Sequence, residues 1–139
     1  MTTAIDTNVI IALWEHDPIL RGSAREALES AFEKGALVVA APVFAELMAA
    51  NRTEAFLDSF FEDCGIRIDW LLDEDVWRLA GRAFAAYGAR RRRHGAPGPR
   101  RILADFLIGA HAVRLGCPLM TMDRRLYRTA FPELVLLPV

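Results

Sequence analysis

Short apolar runs alternate with longer helical patterns along almost the whole chain, and that alternation restricts the fold to layers of helices on a sheet. Residues 2–5, 37–40, 66–69, 119–121 and 134–137 carry the apolar and β-branched content of strands. Runs such as Leu37-Val38-Val39-Ala40 are apolar on both faces, as parallel strands covered on two sides are. Helical patterns occupy 8–15, 19–34, 42–51, 54–64, 74–92 and 102–115. Asp17-Pro18 and Pro42 mark helix starts, and Gly35, Gly65 and Gly116 fall just past helix ends. Strands that alternate with helices in this order imply an α/β fold with a mainly parallel sheet. At 139 residues the chain is expected to form a single domain, 1–139, around one core. The segment Gly95-Ala96-Pro97-Gly98-Pro99 is too short to divide domains and reads as a loop between two helices.

Four carboxylates interrupt this apolar pattern. Asp6 closes the first strand, Glu46 lies within Val43-Phe44-Ala45-Glu46-Leu47-Met48, Asp105 splits Leu103-Ala104 from Phe106-Leu107, and Asp123 follows Thr121-Met122. An isolated carboxylate is costly to desolvate, so such positions call for a cation or a dense set of donors. Asp6 ends the first strand, Asp123 lies two residues beyond the fourth, and Glu46 follows the second strand on a helix. Ligands of open α/β sheets bind beyond the carboxyl ends of strands. Asp105 reaches the same edge if its helix packs beside the first strand. The structural alternatives are helix N-caps for Asp6 and Asp123 and buried ion pairs to arginine for Glu46 and Asp105.

Net charge is −1, and setting the four embedded carboxylates aside leaves +3 on the rest of the chain. Lys34 is the only lysine, and six arginines crowd into one segment as Arg90, Arg91, Arg92, Arg93, Arg100 and Arg101. Guanidinium groups grip phosphate and stack on bases, so this segment is a candidate RNA-binding surface. Alternatively, these arginines simply offset the negative end of a helix dipole. Cys64 and Cys117 have no metal-ligand spacing and are expected to be small core residues. His16, His94 and His111 form no catalytic or metal motif. Phe56, Leu57, Phe60 and Phe61 make an apolar stripe expected to join the core, with a partner groove as the alternative. No apolar stretch is long enough for a membrane span and no basic signal-like start is present, which implies a cytoplasmic location.

Taken in order, Ile5-Asp6-Thr7-Asn8, Pro42-Val43-Phe44-Ala45-Glu46-Leu47, Ala104-Asp105-Phe106-Leu107-Ile108-Gly109-Ala110 and Thr121-Met122-Asp123 resemble the motifs of a PIN-domain ribonuclease. The resemblance runs essentially end to end and is to the VapC-like toxin of a type II toxin/antitoxin system. It implies a three-layer α/β/α sandwich, a homodimer and a small cognate antitoxin as partner. It also implies an acidic site of Asp6, Glu46, Asp105 and Asp123, supported by Thr7, Asn8 and Thr121.

The chemistry agrees with that implication. Hard oxygen ligands favour Mg²⁺ or Mn²⁺, and such an ion can activate water against a phosphodiester. Asp6 and Asp105 are the leading direct ligands. Asp123 would ligate directly or through water, and Glu46 would bind through water or help deprotonate the nucleophile. Phosphoaspartate chemistry is a weaker reading, because Asp6-Thr7-Asn8 lacks the second aspartate of a DxD start. A non-catalytic RNA-binding or partner-binding module is the main alternative, and a metal-dependent cleavage assay separates the two.

Overall fold

The structure is a computed structural model that describes residues 1–96 and 103–139. The helix start expected at 102 and the calls on Arg100, Arg101 and the end of the Pro-Gly loop lie outside the described residues. Five strands, β1 (Thr2–Ile5), β2 (Ala36–Ala40), β3 (Ile66–Asp69), β4 (Leu119–Met120) and β5 (Leu136–Leu137), form one sheet in the order β3-β2-β1-β4-β5. Every pairing is parallel, with Thr3 opposite Leu37 and Ile5 opposite Met120. Helices α1 (Thr7–Ala12), α2 (Pro18–Lys34), α3 (Ala41–Ala49), α4 (Glu54–Cys64), α5 (Glu74–Arg93), α6 (Leu103–Leu115) and α7 (Arg124–Ala130) flank it in an α/β/α arrangement.

The central strands are apolar on both faces because both faces are covered: Ile5, Val38 and Val39 are completely buried. Each such side chain contributes roughly 1.5–3 kcal/mol on burial. Local chemistry sets the ends of the helices. Asp17 caps α2 with Pro18 in its first turn, and Thr53 and Asp73 cap α4 and α5 by accepting the Phe56 and Val76 amides. Gly65 ends α4 in the left-handed region at φ 66°, which a side chain would strain.

Four expectations need correction. Residues 124–130 form α7, a helix absent from the expected set; Asp123 caps it, and Leu126 and Tyr127 anchor it in the core. Cys64 is exposed because it occupies the last position of α4, whereas Cys117 is buried as expected. The Phe56–Phe61 stripe divides: Leu57 and Phe61 enter the core, while Phe56 stays largely exposed and stacks near Phe60. The last two strands are also shorter than expected, at two residues each.

Chain order reverses between β1 and β4. From β1 the chain builds outward through β2 and β3, then returns to place β4 on the other side of β1. This is the topological switch point, where helices diverge beyond the strand ends and leave a crevice. Asp6 and Thr121 are the residues that leave β1 and β4 there.

Candidate active site

Asp6 is 4% exposed and caps α1, with Oδ1 accepting the Thr7 amide at 2.7 Å. Its Oδ2 accepts the Thr121 hydroxyl at 2.7 Å and lies 3.3 Å from Asn8 Nδ2. Thr121 Oγ1 also accepts the Asp123 amide at 3.0 Å, so one hydroxyl ties the end of β4 to the end of β1. Asn8 Oδ1 accepts the Met122 amide at 3.1 Å and closes the same junction. Thr7 points its hydroxyl the other way and donates to Glu46 Oε1 at 2.6 Å. The three polar neighbours therefore connect Asp6, Glu46 and the β4 turn into one hydrogen-bonded group.

The structural alternative for Asp6 and Asp123 is present as well. Both are N-caps, although Asp123 Oδ1 meets the Leu126 amide only at 3.5 Å. A cap leaves most of a carboxylate's acceptor capacity unused, so capping and ligation are compatible. For Glu46 the buried-ion-pair alternative is not what the structure holds. Among the described residues no salt bridge involves Asp6 or Glu46.

Burial pushes the Asp6 carboxyl from 3.8 up to about 6. The Thr121 hydroxyl, the nearby Tyr127 hydroxyl and the Thr7 amide oppose that rise, and the charge of Glu46 adds to it. Tyr127, on α7, is missing from the set of site residues expected from sequence. Burial raises its phenol well above the ordinary 10, and the charges of Asp6, Asp105 and Glu46 raise it further. Three carboxylates from three elements thus share one electrostatic surrounding. Asp105 arrives there from the first turn of α6, which is held by the rings of Phe84 and Tyr87 against Phe106 at 4.9 and 5.4 Å. The side chain of Asp123 instead turns toward the start of α7 and lines a neighbouring cleft.

That cleft has a volume of about 390 Å³ and is bordered by Arg90, Arg91 and His94 of the α5 end and by Asp123, Arg125 and Thr129 on the α7 side. Arg92 and Arg93 are exposed and do not line it. Among the histidines, His111 is buried and its Nε2 lies 2.8 Å from Asp69 Oδ2, a structural pairing.

Among the described residues no three His, Cys, Asp or Glu side chains form a closed ligand group. The donor chemistry nevertheless fits a hard divalent ion. Among the described residues Asp6 and Glu46 supply oxygen donors without a basic partner, and the charge of Glu46 adds to the cost of ionising Asp6, a cost that a cation offsets.

The PIN domain family model matches residues 3–132. No curated protein matches the sequence. Among solved structures, VapBC-1 from nontypeable Haemophilus influenzae is similar at TM-score 0.68 and 18% identity, covering 99% of this chain and 98% of that one. VapBC2 from Rickettsia felis, bound to a DNA fragment from its promoter, is similar at TM-score 0.64 and 19% identity, with 99% and 98% coverage. FitAcB from Neisseria gonorrhoeae follows at TM-score 0.64 and 20% identity, with 96% and 95% coverage. At these identities the likeness is one of fold. With the family model spanning nearly the whole length, the chain belongs to the PIN domain family.

Proposed function

We propose that the chain is a metal-dependent endoribonuclease that hydrolyses RNA phosphodiester bonds and is the toxin of a toxin/antitoxin pair. The observation that carries this reading is the convergence of the buried Asp6 and the partly exposed Glu46 and Asp105 around Tyr127 at the switch point of the sheet. Asp6 and Asp105 would hold Mg²⁺ or Mn²⁺ directly, and Asp123, whose side chain faces the start of α7, would reach the ion through water. When bound, the ion supplies charge that offsets the phosphate and makes water a competent nucleophile at neutral pH. Asp6, clamped by Thr7 and Thr121, contributes a carboxylate fixed in orientation. Glu46, held through Oε1 by Thr7, accepts the proton of the attacking water. Arg90 and Arg91, with Arg125 across the cleft beside Asp123, hold the RNA backbone on its way to the carboxylates.

Partner binding is supported elsewhere on the surface. A groove of about 500 Å³ between α2 and α4 is lined by Leu13, Leu28, Phe32, Phe60 and Ile66, of which Phe32 is exposed, and includes Arg25 and Glu29. It suits the apolar face of a small antitoxin. Similar folds include a toxin–antitoxin complex from Klebsiella pneumoniae, which supports that assignment. Exposed Met48, Trp70, Leu71 and Trp77 offer a surface for a second copy, forming the homodimer.

Incubation of the purified chain with RNA and Mn²⁺, with and without a chelator, tests the proposal. Cleavage lost on chelation and regained with metal is expected. RNA binding without cleavage under any metal condition would assign a non-catalytic module instead.

A further inference from the structure

Tyr127 is 1% exposed, and its hydroxyl meets no acceptor at hydrogen-bond geometry. A buried phenol left in that condition is destabilising, and phenylalanine would fill the same space without that cost. The hydroxyl nevertheless comes close to Asp6 and sits in the field of Asp105 and Glu46, all of them acceptors.

The ring is brought there by a specific accommodation. Gly109 lies one turn after Asp105 on α6, and a Cβ at Gly109 would stand 3.1 Å from Tyr127 Cε1 and 2.3 Å from Phe131 Cε2. The absent side chain lets the Tyr127 ring of α7 close onto α6, which carries Asp105 in its first turn. A phenol hydroxyl is a donor, whereas ionised carboxylates can only accept.

We propose that Tyr127 is a positioning residue of the acidic site: its buried hydroxyl, which has no other acceptor, turns to donate to the Asp6 carboxylate when that group is ionised and sets the face that Asp6 presents to a divalent cation. This role rests on the metal-site reading above. Partners behind metal ligands typically change metal affinity about 10- to 100-fold when removed.

Titration calorimetry with Mn²⁺ on the purified full chain, together with thermal melts with and without Mn²⁺, tests the proposal using wild type, Tyr127→Phe and Asp6→Asn. Wild type is expected to bind Mn²⁺ and Asp6→Asn to bind it far more weakly. Tyr127→Phe is expected to keep its fold and lose about 10-fold in affinity, with a smaller Mn²⁺-induced rise in melting temperature. Equal Mn²⁺ affinity in wild type and Tyr127→Phe overturns the positioning role and leaves the metal site standing. A lower metal-free melting temperature in Tyr127→Phe with unchanged affinity assigns the hydroxyl to packing alone and also overturns it. Wild type that binds no Mn²⁺ overturns the metal-site reading and this role with it.

Discussion

Asp6→Asn should stabilise the metal-free protein while abolishing its activity. Burial lifts the Asp6 carboxyl from 3.8 to about 6, a rise of roughly two pH units that corresponds to about 3 kcal/mol against the ionised form. Asparagine carries no charge and keeps an oxygen for the Thr7 amide, but it loses the acceptor that Thr121 uses at 2.7 Å. Losing that hydrogen bond costs about 1 kcal/mol or somewhat more. The net gain is therefore about 1–2 kcal/mol at pH 7, which for a domain of this size raises the melting temperature by roughly 3–10 °C. The pH dependence has a definite sign. The folded state holds the Asp6 proton to higher pH than the unfolded chain does, so this group's contribution to stability falls as pH rises from about 4 to about 6 and is level above. Thermal melts of both proteins with a chelator present, across pH 4 to 8, read both effects. The variant should lack the wild-type decline over that window. A variant destabilised at pH 7, or one with an unchanged pH profile, would show that Asp6 is held as a structural anion and refute the reasoning.

Gly109→Ala should destabilise the chain by about 1–3 kcal/mol in a denaturant melt, because the new methyl meets the Phe131 ring. Alanine at Arg90, Arg91 and Arg125 together should weaken RNA binding and flatten its salt dependence by about 0.7 per lost phosphate contact, measured by fluorescence anisotropy at several salt concentrations. Phe32→Asp, placed in the groove between α2 and α4, should abolish co-purification with a coexpressed cognate antitoxin while leaving the melting temperature nearly unchanged.

The fold class was legible because strand runs and helix patterns were separated by unambiguous signals such as Asp17-Pro18 and Gly65. Helix α7 escaped because it is short and Arg-rich; Leu126 and Tyr127 show as buried only once packed against α6. Its one clear signal was Asp123 as an N-cap. The position of Asp6 at the sheet edge followed from strand order, but its bond to Thr121 joins residues 115 apart in sequence, which no local pattern reveals. Tyr127 was hidden for the same reason, since its role depends on the missing Cβ of Gly109 on another helix. Cys64 was misplaced because an apolar type at a helix end reads as core even where the end faces solvent.

Single-turnover cleavage of RNA by wild type, Asp6→Asn and Asp105→Asn, each with saturating Mn²⁺ and with chelator, tests metal-dependent hydrolysis most directly. Wild type should cleave only with metal, and both variants should lose cleavage by at least about 100-fold while remaining folded, since each removes one ligand charge. Cleavage that survives in both variants, or that continues in wild type after thorough removal of metal, contradicts the assignment of these carboxylates as a metal-dependent nuclease site.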